Sequence, residues 1–432
     1  MVREAFSEPA EKADSSFPGR LTGRSDKGVI GPKNAKDCMA TAAYIVAGKR
    51  SAIGRFNGSL APVSLVDLGA AVIRGLMDSS SLDADEVDEV IMGNVLQAGV
   101  GQNPARQAAV RAGLPYVVPS FTVNKVCASG LKSVALAAQA VASGAAEVII
   151  AGGMEHMTCA PYLLRNARWG QRMGHSEIID SMVCDALWDC YYDCHMGVTA
   201  ERVASEYGIS RQEQDEFAAS SQQKAEKAIR EGRFRDEIVP VTIQQKKGDV
   251  VFDTDEHPRA GTTVASLSRL EPAFQKGGTV TAGNASGIND GAGAVMVVSE
   301  AKRGEMKPDW AFKVVASHAV GLDPAYMGLG PIGASRGVLE KAGCTVNDLD
   351  LIEVNEAFAA TSIQVNREMG WNLDNVNVLG GAIALGHPVG ASGTRILVTL
   401  LHEMVRRGVS LGLASLCIGG GEGIAMIVER VA

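Results

Sequence analysis

Two distant stretches of this chain carry the same pattern, and that near-repeat limits the folds open to it more than any other feature. CASGLKSVALAAQAVASGAAEVIIAGG (127–153) and GASGTRILVTLLHEMVRRGVSLGLASLCIGGG (390–421) each open on ASG and run through a long apolar, helix-like segment. Each stops at a glycine, Gly144 or Gly408, and closes in a short β-rich run ending in glycines. The likeness extends upstream, where LDADEVDEVIMGNV (82–95) parallels CTVNDLDLIEVNEA (344–357) and AAYIVAGKRSAIG (42–54) parallels AFKVVASHAVGLD (311–323). The strands VIIA, FKVVAS, LDLIEV and LASLCI are apolar on both faces, which requires parallel or mixed sheets covered by helices. An α/β protein of two similar halves is expected.

Residues 157–283 interrupt this symmetry, so the first half is expected over 39–156 and 284–308 and the second over 309–432. In the insertion, RWGQRMGHSEIIDSMVCDALWDCYYDCHMG suits a lid or loop domain, and SRQEQDEFAASSQQKAEKAIREGRF has helical spacing behind a serine start. It is expected to cover the face where the sheets end. Residues 1–38, rich in Pro, Ser, Gly and mixed charge, read as a mobile extension. Glu4, Glu8, Glu11 and Asp14 argue against a mitochondrial transit peptide, so the cytoplasm is the expected compartment and the mitochondrion the alternative.

Charge and cysteine usage narrow the function. Lys and Arg total 41 against 49 acidic residues, a formal charge of -8, and no basic run marks a polynucleotide surface. Nucleic acid is not an expected partner, although a small polyanion could be held by a few Arg, Ser and backbone N–H groups. The 8 cysteines lack the regular spacing of a disulfide scaffold, and a chain of 432 residues needs no such staples. No apolar run approaches the length of a membrane span.

Reactive residues fall at four similar junctions. Cys127 follows the strand-like SFTVN and precedes a helix; Asn355 and Glu356 close LDLIEV; His387 lies between the strand-like VNVL and the next helix; Cys417 ends LASL before IGGGEG. In α/β sheets, sites form outside the carboxyl ends of strands, so all four are expected to converge. A helix N-terminus at Cys127 is expected to favour thiolate, lowering a pKa of about 8.5 in a free cysteine, and a thiolate is a nucleophile suited to an acyl group. His387, with Gly381, Gly386, Gly390 and Gly393 leaving backbone open and Pro388 beside the ring, is placed to take the thiol proton or to donate to an oxyanion. Cys417 before Gly419, Gly420 and Gly421 adds a second thiol beside backbone N–H donors. Two thiols, one imidazole and such donors suit carbon–carbon bond chemistry on thioesters.

VNKVCASGLKSV around Cys127, NEAFA at 355–359, GGAIALGHPVGASG around His387 and CIGGGEG from Cys417 resemble, in order, the four signature blocks of the thiolase family. The resemblance runs from about Ala42 to Val428. It implies a five-layered αβαβα core with an inserted loop domain that binds coenzyme A, assembled as a homotetramer of paired dimers. It implies a ping-pong reaction between two acetyl-CoA molecules, giving acetoacetyl-CoA and CoA, with the reverse cleavage on the same residues. Cys127, activated by His387, would carry the acetyl group and Cys417 would move the α-proton of the second acetyl-CoA. Asn355, through a water, would join His387 in one oxyanion hole, and the N–H groups of Cys127 and Gly419 would form the other; Glu356 would orient His387 or its network. CHMGVTAE (194–201) resembles the short-chain acetoacetyl-CoA thiolases, in which Met196 would block longer acyl chains and His195 would lie along the pantetheine. The same match places Leu187, Arg259, Ser266, Phe274, Ala282, Ser286, Ala357 and Phe358 along the CoA tunnel. It implies no cofactor and no metal, coenzyme A being substrate and product. Glu422 departs from the family, where Met or Gln is common, and so do the crowded Cys184, Cys190 and Cys194.

Rival readings are weaker. Cys184, Cys190, Cys194 and His195 offer zinc-ligand types without a CxxC pair. GLGPIG matches GxGxxG at Gly328, Gly330 and Gly333 but follows no strand and contains Pro331. A broader 3-ketoacyl-CoA thiolase of fatty-acid degradation and a catalytically silent CoA-binding protein share the fold; His195-Met196 speaks against the first, and the retained cysteines and histidine against the second.

Overall fold

The computed structural model describes residues 41–80 and 82–431, and the expected extension over 1–38 lies outside them. The principal elements of the first half are β1 (Ala43–Ser51), α1 (Leu65–Asp78), β2 (Glu89–Gly93), α2 (Pro104–Arg111), β3 (Ser120–Val123), α3 (Ser129–Ala142) and β4 (Val148–His156). The intervening segment contributes α4 (Met196–Glu206) and α5 (Arg211–Arg230), after which β5 (Asn289–Ser299) completes the half. The second half runs β6 (Phe312–Gly321), α6 (Gly330–Ala342), β7 (Leu351–Val354), α7 (Ala359–Met369), α8 (Ser392–Arg407), β8 (Leu411–Ile418) and β9 (Glu422–Arg430).

The strand order is β7-β8-β9-β6 in one half and β1-β5-β4-β2-β3 in the other. Within each half the sequence-repeated strands pair alike: β2 with β4 and β7 with β8 are parallel, while β4–β5–β1 and β8–β9–β6 are antiparallel. The halves touch at their β1 and β6 edges through two residue pairs, Tyr44–Lys313 and Ile45–Phe312. Three apolar clusters define the layers. Val72 and Ile73 of α1 and Ala108 of α2 cover one face of the first sheet through Val90, Met92 and Met296. Leu131 and Val134 of α3 meet Ile396, Leu397 and Leu401 of α8 between the two sheets, against Ile149, Val297, Leu416 and Met426. Val338 of α6 and Val365 of α7 close the far face over Leu413, Ala425 and Ile427. The result is the expected αβαβα stack, with α3 and α8 sandwiched between the sheets and α8 burying Arg395 and Glu403 beside its apolar residues.

Local chemistry explains where these elements start and stop. Ser64 caps α1 by accepting from the Asp67 N–H, and Ser210 with Glu213 forms a capping box at α5, as its serine start predicts. Gly408 at φ +69 ends α8 in the left-handed conformation that glycine takes without a Cβ penalty. Gly330, inside the GLGPIG match, lies where an added Cβ would sit 2.3 Å from the Glu422 carbonyl oxygen, so it serves the packing of α6 on β9.

One expected strand is absent. VNVL, residues 376–379, makes only a single bridge, Ile352 to Val376. Asn377 has φ +44, and its side-chain amide takes over the ladder: Oδ1 accepts from the Val354 N–H at 2.8 Å and Nδ2 donates to the Val354 carbonyl at 2.8 Å. A side chain thus satisfies the edge of β7 where the first half uses the whole strand β3.

Candidate active site

The junctions that carry Cys127, Asn355, His387 and Cys417 do converge. Cys127 sits one residue ahead of Ala128, the N-cap of α3. Val126 before it has φ +46, rare for a β-branched residue. Hydrogen bonds from the Lys125 N–H to Ser129 Oγ (2.9 Å) and from Ser129 Oγ to the Val126 carbonyl (2.7 Å) hold this turn. The N–H groups of Gly419 and of Cys127 itself favour the Cys127 thiolate. Cys417, at the end of β8, is buried and lies close enough for a charge on Cys127 to act on it.

The expected depression of the Cys127 pKa is not found. Burial dominates and pushes this thiol up to about 11, against the opposing pull of the Gly419 and Cys127 N–H groups. Burial likewise raises Cys417, with the charge of Cys127 adding to it. His387 is pushed the other way, down to about 4, first by burial and second by the Arg395 guanidinium. The free site therefore holds neutral thiols beside a neutral imidazole.

Hydrogen-bond counting fixes the imidazole's tautomer. Ser392 Oγ donates its proton to the Pro388 carbonyl at 2.8 Å and stands 2.5 Å from His387 Nδ1, so it accepts there from Nδ1–H. Nε2 is left bare, ready to accept a proton. The His387 N–H donates to Asn289 Oδ1 (2.9 Å), and Asn289 Nδ2 donates to the Gly54 carbonyl (2.9 Å), tying the loop to the first half. Asn355 Nδ2 lies 3.5 Å from both ring nitrogens, and its buried Oδ1 has no protein partner, which suits a water as the next member of the network. Of the two places expected for Glu356, the ring and its network, it takes the second: it accepts from Ser221 Oγ (2.7 Å), Asn377 Nδ2 (3.0 Å) and the Ile383 N–H (3.3 Å), and so anchors α5 and the start of the His387 loop.

A cavity of about 580 Å³ opens onto His387. His387, Leu187, His195, Met196, Arg259, Phe274, Ala282, Ser286 and Phe358 line it, all of them among the residues singled out from sequence. Cys127 joins the apolar cluster of Met157, Leu187 and Val389 on one flank, and Cys417 that of Met196, Ala357, Phe358 and Phe274 on the other. His195 stacks on Phe274, centroids 4.7 Å apart, and its Nδ1 accepts from the Gly197 N–H at 3.0 Å. Ala357 is buried, and its carbonyl accepts from the Ser286 N–H at 2.9 Å. Ser266 does not line the cavity; it is exposed, and its hydroxyl donates to the Thr263 carbonyl in a capping turn. Among the described residues, no group of three or more His, Cys, Asp or Glu side chains is arranged to hold a metal ion.

The structure adds residues that sequence reasoning passed over. Glu155, fully buried, accepts from Asn94 Nδ2 (2.6 Å) and from the N–H groups of Val95, Leu96 and Gly390, and so ties the loop after β2 to the His387 loop. Burial, opposed by these N–H groups, raises its pKa to about 7. His257 lines the cavity and is pushed down to about 4 by burial, then by Arg259. Ser392 alone had a visible signal, standing in the GASG motif five residues after His387.

A sandwich of two repeated α/β halves, with a cavity lined by His387 and flanked by the clusters that hold Cys127 and Cys417, defines an acyl-transferring enzyme of the thiolase class. The chain matches the thiolase N-terminal domain over residues 43–301 and the thiolase C-terminal domain over 309–430, and it belongs to that family. Among its relatives, an acetyl-CoA acetyltransferase of Pseudomonas aeruginosa is 59% identical over 387 residues, covering 89% of this chain and 98% of that protein. One from Thiocystis violacea is 56% identical, covering 91% and 100%. The crystal structure of the Bacillus anthracis acetyl-CoA acetyltransferase superposes with a TM-score of 0.89 at 43% identity, covering 91% of this chain and 100% of that one.

Proposed function

We propose that this chain is an acetyl-CoA C-acetyltransferase, joining two acetyl-CoA molecules into acetoacetyl-CoA and CoA and cleaving the product in reverse. The observation that carries this reading is His387 on a cavity flanked by the clusters that hold Cys127 and Cys417, with the N–H groups of Gly419 and Cys127 favouring the Cys127 thiolate.

In the first half-reaction Cys127 gives its proton to the bare Nε2 of His387, and the thiolate attacks the acetyl carbonyl. The oxyanion that forms is held by the N–H groups of Cys127 and Gly419. The CoA thiolate leaves with the proton of Cys417, which becomes the base. In the second half Cys417 takes the α-proton of the next acetyl-CoA, whose enolate oxygen faces His387 and an Asn355-held water. The new carbon–carbon bond expels Cys127 as thiolate, and the His387 proton returns to it. Burial makes the Cys417 thiolate a stronger base than a free one, as this step demands. Coenzyme A enters as substrate, and the chain's own side chains supply each proton transfer.

Met196 supports short-chain specificity. It is buried, lines the cavity, and its Cε lies 3.2 Å from where a Cβ on Gly419 would stand, at the acyl end of the pocket. Arg259 and Ser286 line the same cavity and suit the polar portions of coenzyme A. The free cysteines among the described residues accord with the cytoplasm as the compartment we assign.

The test is CoA-dependent cleavage of acetoacetyl-CoA and of a longer 3-ketoacyl-CoA by wild type and Cys127→Ala. Wild type is expected to cleave the short substrate at least tenfold better, the low end of the about 10–200-fold that one excess methylene costs in an apolar pocket, and Cys127→Ala to lose turnover. Retained turnover in Cys127→Ala overturns the mechanism; equal cleavage of the long substrate favours the broader 3-ketoacyl-CoA thiolase.

A further inference from the structure

Glu422 looks out of place in the sequence, and the structure gives it a partner. Lys125 Nζ contacts both of its carboxylate oxygens, at 2.6 and 2.7 Å. The two residues belong to opposite halves, 297 positions apart. Each bounds a turn that carries part of the proposed acyl-transfer site. Lys125 begins the strained turn through Val126 to Cys127, and Glu422 opens β9 opposite Ile418, closing the turn that contains Gly419.

The hydrogen bonds within each turn are local. Ser129 pins Lys125 and Val126 to the start of α3, and the Gly421 carbonyl accepts from the Leu322 N–H at 2.8 Å, pinning the glycine turn to the second half. Neither bond sets the distance between the turns. That distance matters because the two turns face each other, an added Cβ on Gly419 standing 3.4 Å from Val126 Cγ1, and the two N–H groups that favour the Cys127 thiolate come one from each turn. Donors to a developing oxyanion must stand within a few tenths of an ångström of their working positions, and two turns from different halves have no shared backbone to enforce this.

We propose that the Lys125–Glu422 ion pair is a positioning clamp that holds the Cys127 and Gly419 N–H groups at the spacing acyl transfer requires. The proposal rests on the thiolase reading above. Neither residue touches substrate in this role; the pair acts through the two backbone amides. With the Lys125 side chain 20% and the Glu422 side chain 42% exposed, the pair contributes little to global stability and is open to screening by salt. Its effect is therefore expected in the rate of acyl transfer rather than in folding.

The experiment measures formation of acetyl-Cys127 from acetyl-CoA by rapid quench and mass spectrometry, in wild type, Cys127→Ala, Glu422→Gln, Lys125→Gln and the charge swap Lys125→Glu with Glu422→Lys. Each single substitution is expected to slow acetylation about tenfold, below the about 100-fold of a 1 Å displacement. KM for acetyl-CoA and the thermal midpoint should stay unchanged, and the swap should recover most of the lost rate. High salt should bring wild type toward the Glu422→Gln rate while leaving that variant unaffected. Single variants that acetylate at the wild-type rate overturn the clamp, as does a swap no faster than the singles, because the role would then not depend on opposite charge. Those outcomes leave the thiolase reading standing as long as wild type acetylates and Cys127→Ala does not. Absence of acetylation in wild type overturns both.

Discussion

Cys127 shows how position and environment compete for one side chain. The start of a helix and two N–H groups pull the thiol toward its anion, and burial pulls harder, up to about 11. The sign has a direct consequence: an acid whose pKa is raised stays protonated longer as pH rises, so at pH 8 only on the order of one Cys127 in a thousand is thiolate. His387, pushed down to about 4, is neutral at that pH and does not form an imidazolium partner for a resting thiolate. Alkylation of Cys127 by iodoacetamide, followed by mass spectrometry of its peptide, is expected to accelerate about tenfold per unit from pH 7 to pH 10 without a plateau. A plateau at or below pH 9 would mean that the helix start outweighs burial after all. Ser392 belongs to the same scale: one hydroxyl proton, given to Pro388, decides which imidazole nitrogen is bare.

Among the elements, β7 depends on a side chain in place of a strand. Asn377 at φ +44 bonds both the N–H and the carbonyl of Val354, and its Nδ2 also reaches Glu356 Oε1. Asn377→Ala leaves two buried main-chain groups unpaired, each costing about 1–3 kcal/mol, in a backbone conformation that alanine tolerates poorly. Urea unfolding is expected to show that loss, and kcat to fall with it because β7 leads directly into Asn355; an unchanged midpoint would remove Asn377 from this role. The case also marks the limit of sequence reading. VNVL carries the composition of a strand, and nothing in it announces that an amide will supply the ladder. The repeated units were legible because their signals are local: an apolar helix between ASG and a left-handed glycine, at Gly144 (φ +74) and Gly408 (φ +69), followed by a strand apolar on both faces. The catalytic positions were legible because they stand at the ends of those strands. Glu155 with Gly390 and Lys125 with Glu422 were not, since partners 235 and 297 residues apart leave no mark on either stretch. Burial is equally non-local, which is why the upward shift of Cys127 leaves no mark on the sequence around it.

At the scale of the molecule, the sheet of the first half ends on β3, whose outer edge has no strand beside it among the described residues. β3 and its approach expose Phe121 at 37%, Tyr116 at 81% and Val117 at 81%. An open edge flanked by large apolar groups is a hazard in a monomer, and natural edges of this kind are covered or charged. A second apolar surface lies in the inserted segment, where Trp169 is 76% and Met173 98% exposed. Two separate surfaces of one chain are what a closed assembly of paired dimers needs, one contact for each two-fold axis. We propose that these two surfaces pair four copies of this chain into a homotetramer, which should then come apart in stages. Tyr116→Glu with Phe121→Lys should abolish edge pairing, whereas Trp169→Glu with Met173→Glu should leave dimers that keep their edge contact. Sedimentation velocity reads the difference: tetramer for wild type, dimer for each pair of substitutions, monomer when all four are combined. Wild type sedimenting as a monomer would remove the assembly. Segment variants that remain tetrameric would assign the second contact to another surface, and edge variants that remain tetrameric would mean that β3 is covered by something other than a second copy of this chain.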